Sequence, residues 1–217
     1  MRRRGSRLRK LVSGLFAYYK LDEISGTTVI DSKGSNNGTN NGATIGVAGK
    51  VGTAYSFSSG NSLNMGDPDI LIRDAFSLAI WFKTSFAGTG QLISRHVTGG
   101  FWQFRLESGK VRLIRFHSGG NAQIVSPLAY NNNLWHFAVA TFSIQNGSRI
   151  YIDGNLVVSD SVLTPNNSGA GQTIYIGSRG GTENYTGLLD EAAIYQNYEL
   201  SASEITSLYN NGNGTTI

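Results

Sequence analysis

The chain has 217 residues, with 18 Lys and Arg against 14 Asp and Glu, and no cysteine, which excludes disulfide frameworks, thiolate metal sites and cysteine nucleophiles. Only 15% of residues are charged and 40% are hydrophobic, including 10 Tyr, 10 Phe and 3 Trp, which is too much apolar material for a disordered chain. No apolar run reaches the ~20 residues that a membrane-spanning helix requires.

The charge is concentrated at one end. Arg2, Arg3, Arg4, Arg7, Arg9 and Lys10 precede the first acid, Asp22, and leave 12 basic residues against 14 acidic ones in the rest of the chain. The basic balance therefore describes an arm over residues 1–14, followed by a nearly neutral body over 15–217. The stretch after the arm is too short and too polar for the apolar part of a secretion signal. Six clustered cations point to an anchoring segment that pairs with an acidic protein surface or with phosphates, and any nucleic-acid contact is expected through this arm alone.

From residue 15 onward the hydrophobic period is two. In chain order, strands are expected at Phe16–Leu21, Ala54–Ser58, Ala75–Lys83, Gln91–His96, Phe101–Glu107, Lys110–Phe116, Leu134–Phe142, Arg149–Ile152, Leu156–Ser159, Gln172–Gly177 and Leu188–Tyr195. The Asp31–Gly49 segment, rich in Asn and Gly, reads as a long loop or a pair of tight turns. Asp153-Gly154 between apolar runs signals a hairpin. One helix is expected near the end. Ser201 and Glu204 form a capping box, Leu200 and Ile205 a hydrophobic staple, Ile205, Leu208 and Tyr209 one apolar face, and Asn211-Gly212 a stop. Many short strands without alternating helices predict an all-β sandwich.

The order of Tyr19-Lys20-Leu21-Asp22-Glu23, Gly49-Lys50-Val51-Gly52-Thr53-Ala54-Tyr55-Ser56-Phe57, Phe76–Lys83, Trp135-His136-Phe137-Ala138, Tyr151-Ile152-Asp153-Gly154, Gly187–Tyr195 and Leu200-Ser201-x-x-Glu204-Ile205 resembles the laminin-G-like branch of the concanavalin A-like lectin/glucanase superfamily. The resemblance covers about residues 15–210. It implies a two-sheet antiparallel jelly roll that serves recognition more often than catalysis, and calcium is bound by many relatives.

A glucanase on such a fold needs two carboxylates about 5 Å apart on one strand face. Asp190 and Glu191 are adjacent, which on a regular strand places them on opposite faces, and Glu183 and Glu199 lie outside any such pattern. His96, His117 and His136 have no serine or carboxylate partner at a suggestive spacing, and His136 reads as a framework residue bonded to backbone. Asp190, inside the apolar LLDEAAIY run, must be hydrogen-bonded, paired or metal-bound. One reading ties the last strand to the amino-terminal turns; the other is a Ca²⁺ site formed with Asp31.

Trp102, Arg105, Arg112 and Arg115 fall in two neighbouring strands. Together they offer an indole for a sugar face and guanidiniums for hydroxyls, carboxylates or sulfates, as an acidic glycan would need. The alternative places Trp102 in the core and leaves the arginines as a solvated face. Two functions follow as expectations: a non-catalytic adhesive lectin anchored by its arm, or a structural decoration of a virus or phage capsid. Either belongs outside the cell or on a virion surface; a glycoside hydrolase is the weakest reading.

Overall fold

The computed structural model describes residues 11–68, 73–95, 102–167 and 171–217. The six cations of the arm and His96 lie outside the described residues.

Sixteen strands follow one another: β1 (Leu15–Tyr19), β2 (Thr28–Val29), β3 (Gly38–Asn41), β4 (Thr44–Ala48), β5 (Thr53–Phe57), β6 (Ser62–Asn64), β7 (Ala75–Lys83) and β8 (Thr89–Arg95). Then come β9 (Trp102–Glu107), β10 (Lys110–His117), β11 (Gly120–Ala129), β12 (Trp135–Ser143), β13 (Gly147–Ile152), β14 (Asn155–Ser159), β15 (Ile174–Ile176) and β16 (Gly187–Gln196), with helix α1 (Ala202–Tyr209) after them. Sheet I runs β14-β13-β12-β7-β16-β5-β4, with β1 also paired to β16, and sheet II runs β11-β10-β9-β8-β15-β6-β3-β2. All pairings are antiparallel. The expected sandwich is therefore present.

The core follows the period of two. On β7, Phe76, Leu78, Ile80 and Phe82 enter the space between the sheets, where they meet Leu63, Trp102, Phe104, Leu113 and Ile176. The opposite face of sheet I is buried as well. Ala79, Trp81, Phe137, Val139 and Tyr195 lie under Leu11, Leu15 and the Leu200, Ile205 and Leu208 side chains of the α1 region. Trp81 stacks on Tyr209 at 5.7 Å between ring centroids and packs on Phe137 at 5.1 Å. Leu11, inside the segment expected as arm, is thus packed, and the Tyr195 hydroxyl donates to the Leu11 carbonyl.

The helix forms where its capping box predicts. The Ser201 hydroxyl accepts from the Glu204 amide, and the Glu204 carboxylate accepts from the Ser201 amide at 2.8 Å. Two strands, β3 and β4, arise in the segment expected as loop. Their side chains carry little pattern, and they form because β6 and β5 offer unpaired edges. Strand β11, which is not among the expected strands, contains Pro127 and lies at the edge of sheet II, the place in a sheet where proline is tolerated.

Asp190 and Glu191 depart from the sequence expectation. Leu189 and Ala192 both enter the inter-sheet core, so an extra residue lies between them, and the register of β16 against β7 shifts between Asp190 and Ala193. Glu191 has φ +52°, and the bulge turns both acids to the same outer side of sheet I. Asp190 Oδ2 accepts the Lys50 and Val51 amides at 2.8 and 3.0 Å. A side chain at Gly49 would meet that oxygen and the Thr53 carbonyl, which explains the glycine. Glu191 accepts from the Tyr18 hydroxyl.

Both acids are buried, and loss of hydration pushes Asp190 up to about 7 and Glu191 to about 8, with repulsion from Asp22 adding to both and repulsion from Asp190 adding to Glu191. Because the folded-state values are raised, the stabilisation is complete below the unfolded-state values and is lost as pH rises through about 7 and 8. Calorimetry should show Tm falling by several degrees between about pH 5 and about pH 9, and Glu191→Gln should flatten that slope. An equally steep slope in the variant would show that Glu191 is not a source of it.

Candidate functional site

Antiparallel register decides which of the aromatic and cationic side chains of β9 and β10 share a face. Trp102 lies opposite Arg115, and Arg105 opposite Arg112. Since the members of each strand are three positions apart, Trp102 and Arg115 point inward while Arg105 and Arg112 point outward. The four do not form one face. Trp102 has no exposed surface and packs on Phe76, as the core alternative required.

Arg115 is also fully buried. Its guanidinium lies 3.6 Å over the Phe142 ring and donates to Ser148 Oγ, Asn166 Oδ1 and the carbonyls of Val162 and Thr164. Burial lowers its pKa to about 10, against the opposing pull of Asp160. It ties the 162–166 segment onto the sandwich.

The outward pair sits in a network. Arg105 donates to Gln103 Oε1 at 3.0 Å, to Glu107 at 2.5 Å and to Glu183 at 3.2 Å, while Arg112 pairs with Glu107 at 3.1 Å. Gln91 Nε2 bridges Gln103 and Glu183, and Arg179 reaches Glu183 at 3.4 Å. Glu183 arrives from a distant segment. Gly180 and Gly181 both have positive φ and close a tight turn from Arg179 to Thr182, which sets Glu183 at φ +48° with its carbonyl on the Gln91 amide.

One residue from each strand of sheet II also lines up across this face: Thr28, Thr39, Asn64, Tyr175, Ser94, Gln103, Ile114 and Gln123. Seven strand spacings of about 4.8 Å make the row about 34 Å long. It is exposed at both ends and buried at Ser94, Gln103 and Ile114, the profile of a shallow trough. Gln103 and Glu107 are two residues from Arg105 and were legible as its neighbours; Gln91, Arg179 and Glu183 depend on tertiary pairing and were not.

The remaining candidates hold the frame. Asp31 accepts the Tyr18, Lys33 and Asn36 amides and the Asn36 side chain. Asp190 serves a different turn, and the two carboxylates share no donor. Among the described residues, no three His, Cys, Asp or Glu side chains gather as a metal-binding group.

His136, expected to bond backbone and to lack a carboxylate, has one. Its Nδ1 lies 2.8 Å from Asp153 Oδ2 and its Nε2 lies 3.0 Å from Asn132 Oδ1. The hairpin turn brings Asp153 back to β12, where its other oxygen accepts the Phe137 amide. Both ring nitrogens are thus engaged in fastening that end of the sandwich. His117 accepts the Gly119 amide within its own turn.

Solved structures share this fold. The receptor-binding domain of botulinum neurotoxin C/D mosaic serotype superposes with a TM-score of 0.72 at 16% identity, over 91% of this chain and 51% of that one. The ligand-binding domain of botulinum neurotoxin serotype D, solved with N-acetylneuraminic acid, gives 0.69 at 16%, over 94% and 52%. This chain therefore spans about half the length of those toxin domains. Domain 4 of the GH43 extracellular arabinanase AbnA from Geobacillus stearothermophilus, solved with arabinotriose, gives 0.70 at 20%, over 89% of this chain and 97% of that one. A search of curated proteins finds no match. A family profile described as the concanavalin A-like lectin/glucanases superfamily matches residues 57–206, most of the chain, and includes the β7, β12–β13 and β16 motifs that build the sandwich. The chain belongs to the laminin-G-like family of that superfamily.

Proposed function

We propose that the chain is a non-catalytic glycan-binding module whose sugar contact is the outer face of sheet II, centred on Arg105 and Arg112. The network of three guanidiniums, two carboxylates and two amides on that face carries the reading. Such planar groups hydrogen-bond vicinal hydroxyls in pairs, and their mutual contacts hold them in position before a ligand arrives. Three cations against two anions leave one positive charge in excess, which suits a sugar bearing a carboxylate or sulfate. The complexes of similar folds with N-acetylneuraminic acid and arabinotriose support a sugar as the ligand class. Of the two adjacent pairs of acids, Asp190 and Glu191 are sealed beneath the C-terminal residues, and Asp22 and Glu23 are held by the Thr53 and Ile30 amides and the Tyr55 hydroxyl.

The charge asymmetry of the sequence favours a second element of the reading. Six cations precede a body in which acids slightly outnumber bases, so the arm is proposed to attach the module to an acidic partner surface or to phosphates. Attachment to a particle without a glycan ligand, as in a capsid decoration, would use the same arm and leave the sheet II face unused.

Two measurements test these statements. On a glycan array the full-length protein should retain a defined subset of saccharides, and Arg112→Ala should weaken that binding about tenfold while the melting temperature holds. No retained glycan, or unchanged binding by the variant, overturns the site. Separately, binding of the full chain to duplex DNA as a model polyanion should weaken with salt at a log–log slope near −5, about 0.9 for each of six phosphate contacts. A flat response would remove phosphates as the arm's partner.

A further inference from the structure

A second polar cleft lies on the other sheet, away from Arg105 and Arg112. It has a volume of about 310 Å³ and is lined by Asn146, Arg149, Tyr151, Glu199, Leu200, Ser201 and Ala202, where the β12–β13 hairpin meets the start of α1. Arg149 and Tyr151 are two residues apart on β13 and so share its outer face, while Ile150 and Ile152 enter the core.

The distribution of donors and acceptors in this cleft is uneven. The Glu199 carboxylate is already occupied by Ser143 Oγ, Asn146 Nδ2 and Arg149 Nη1. Glu204 is turned into the capping box and also accepts the Tyr198 hydroxyl. The Tyr151 side chain is only 7% exposed, yet its hydroxyl has no hydrogen-bond partner among the described residues. Burial is the main reason its pKa is raised, with Arg149 pulling it down and Glu199 pushing it up. The first amides of α1, at Ala202 and Ser203, have no partner within the helix. The cleft thus turns unused donors towards solvent beside the apolar edges of Leu200 and Ala202.

We infer that this cleft is a second ligand site, which takes a neutral saccharide unit. Its shape and its even mix of polar and apolar wall suit one sugar residue. The charge argues against an acid, because Arg149 stands against two carboxylates, Glu199 and Glu204. A hydroxyl or ring oxygen accepting from Tyr151 would satisfy the hydroxyl that the fold leaves unbonded. The ligand class rests on the glycan-binding reading, but the cleft does not depend on the sheet II face. With both sites occupied, one chain would hold sugars on opposite sides of the sandwich, and multivalent glycans would be bridged.

The test titrates the full-length protein with a panel of neutral pentose and hexose trisaccharides, with glucuronate as the acidic arm, followed by NMR and calorimetry. Tyr151→Phe removes an unbonded hydroxyl and should leave the melting temperature unchanged while weakening neutral-sugar binding about five- to tenfold at one of two sites. Arg112→Ala should leave that site untouched, and glucuronate should not shift the Tyr151 region. Wild-type affinity in Tyr151→Phe, or shifts confined to sheet II, overturns the second site while the glycan-binding reading stands. Absence of any sugar binding overturns both.

Discussion

Burial of both faces of sheet I is the constraint from which the functional geometry follows. An antiparallel sheet usually packs one face and exposes the other. Here β7 and β12 bury Phe76, Ile80 and Phe142 between the sheets, and Trp81, Phe137 and Val139 beneath α1, Leu11 and Leu15. Indole stacking on Tyr209 fastens the helix to the strand, so the cover belongs to the structure and is not a mobile addition. Among the described residues, sheet II has no comparable cover across β9 and β10, and its outward positions there are filled by Gln103, Arg105 and Arg112. The broad polar face therefore lies on sheet II, and on sheet I the hairpin and helix leave a cleft only at the margin of the cover.

The cover also explains how a chain so poor in charge tolerates two adjacent acids in an apolar strand. An uncompensated buried carboxylate is costly, and the fold compensates each one locally. Asp190 takes two backbone amides from the turn after Gly49, and Asp22 takes the Thr53 amide from the same turn. Glu191 takes the Tyr18 hydroxyl, whose oxygen in turn accepts the Ile217 amide. Chain segments separated by more than 130 positions in sequence are joined through side-chain oxygens at one bulge. Two carboxylate oxygens, Asp190 Oδ1 and Glu191 Oε1, still lack donors. That residual desolvation is why protonation favours the fold.

The sandwich was readable because its strands obey local rules. The alternation in AFSLAIWFK, the Asp153-Gly154 turn and the Ser201–Glu204 box each describe structure within a few residues, and the structure follows them. Trp102, Arg105, Arg112 and Arg115, expected as one group, are divided by the structure because positions three apart on a strand face opposite ways. Alternation failed at Asp190-Glu191, because a bulge is set by pairing with a partner strand and adds a residue that no local pattern announces. Strands β3 and β4 were unreadable for a related reason: GTNN and TIGVA become strands when neighbouring edges require partners. Glu183 and Asp153 reach Arg105 and His136 through turns whose closure is local but whose destination is not.

The placement of charge separates the reading of a binding module from that of an enzyme. Catalysis by paired carboxylates needs both acids in a groove, with water or a sugar oxygen in reach. Asp190 and Glu191 have the adjacency but lie beneath Trp81, Leu208 and Ile217, with hardly any space beside them. Glu107 and Glu183 have the access, yet each is tied to guanidiniums on either side. Asp190 and Glu191, whose affinity for protons is raised, are buried, while Glu107 and Glu183 are paired with arginine. A surface arranged in this way presents fixed guanidiniums and amides that can hold hydroxyls and charged substituents in register, which is what the proposed binding role requires.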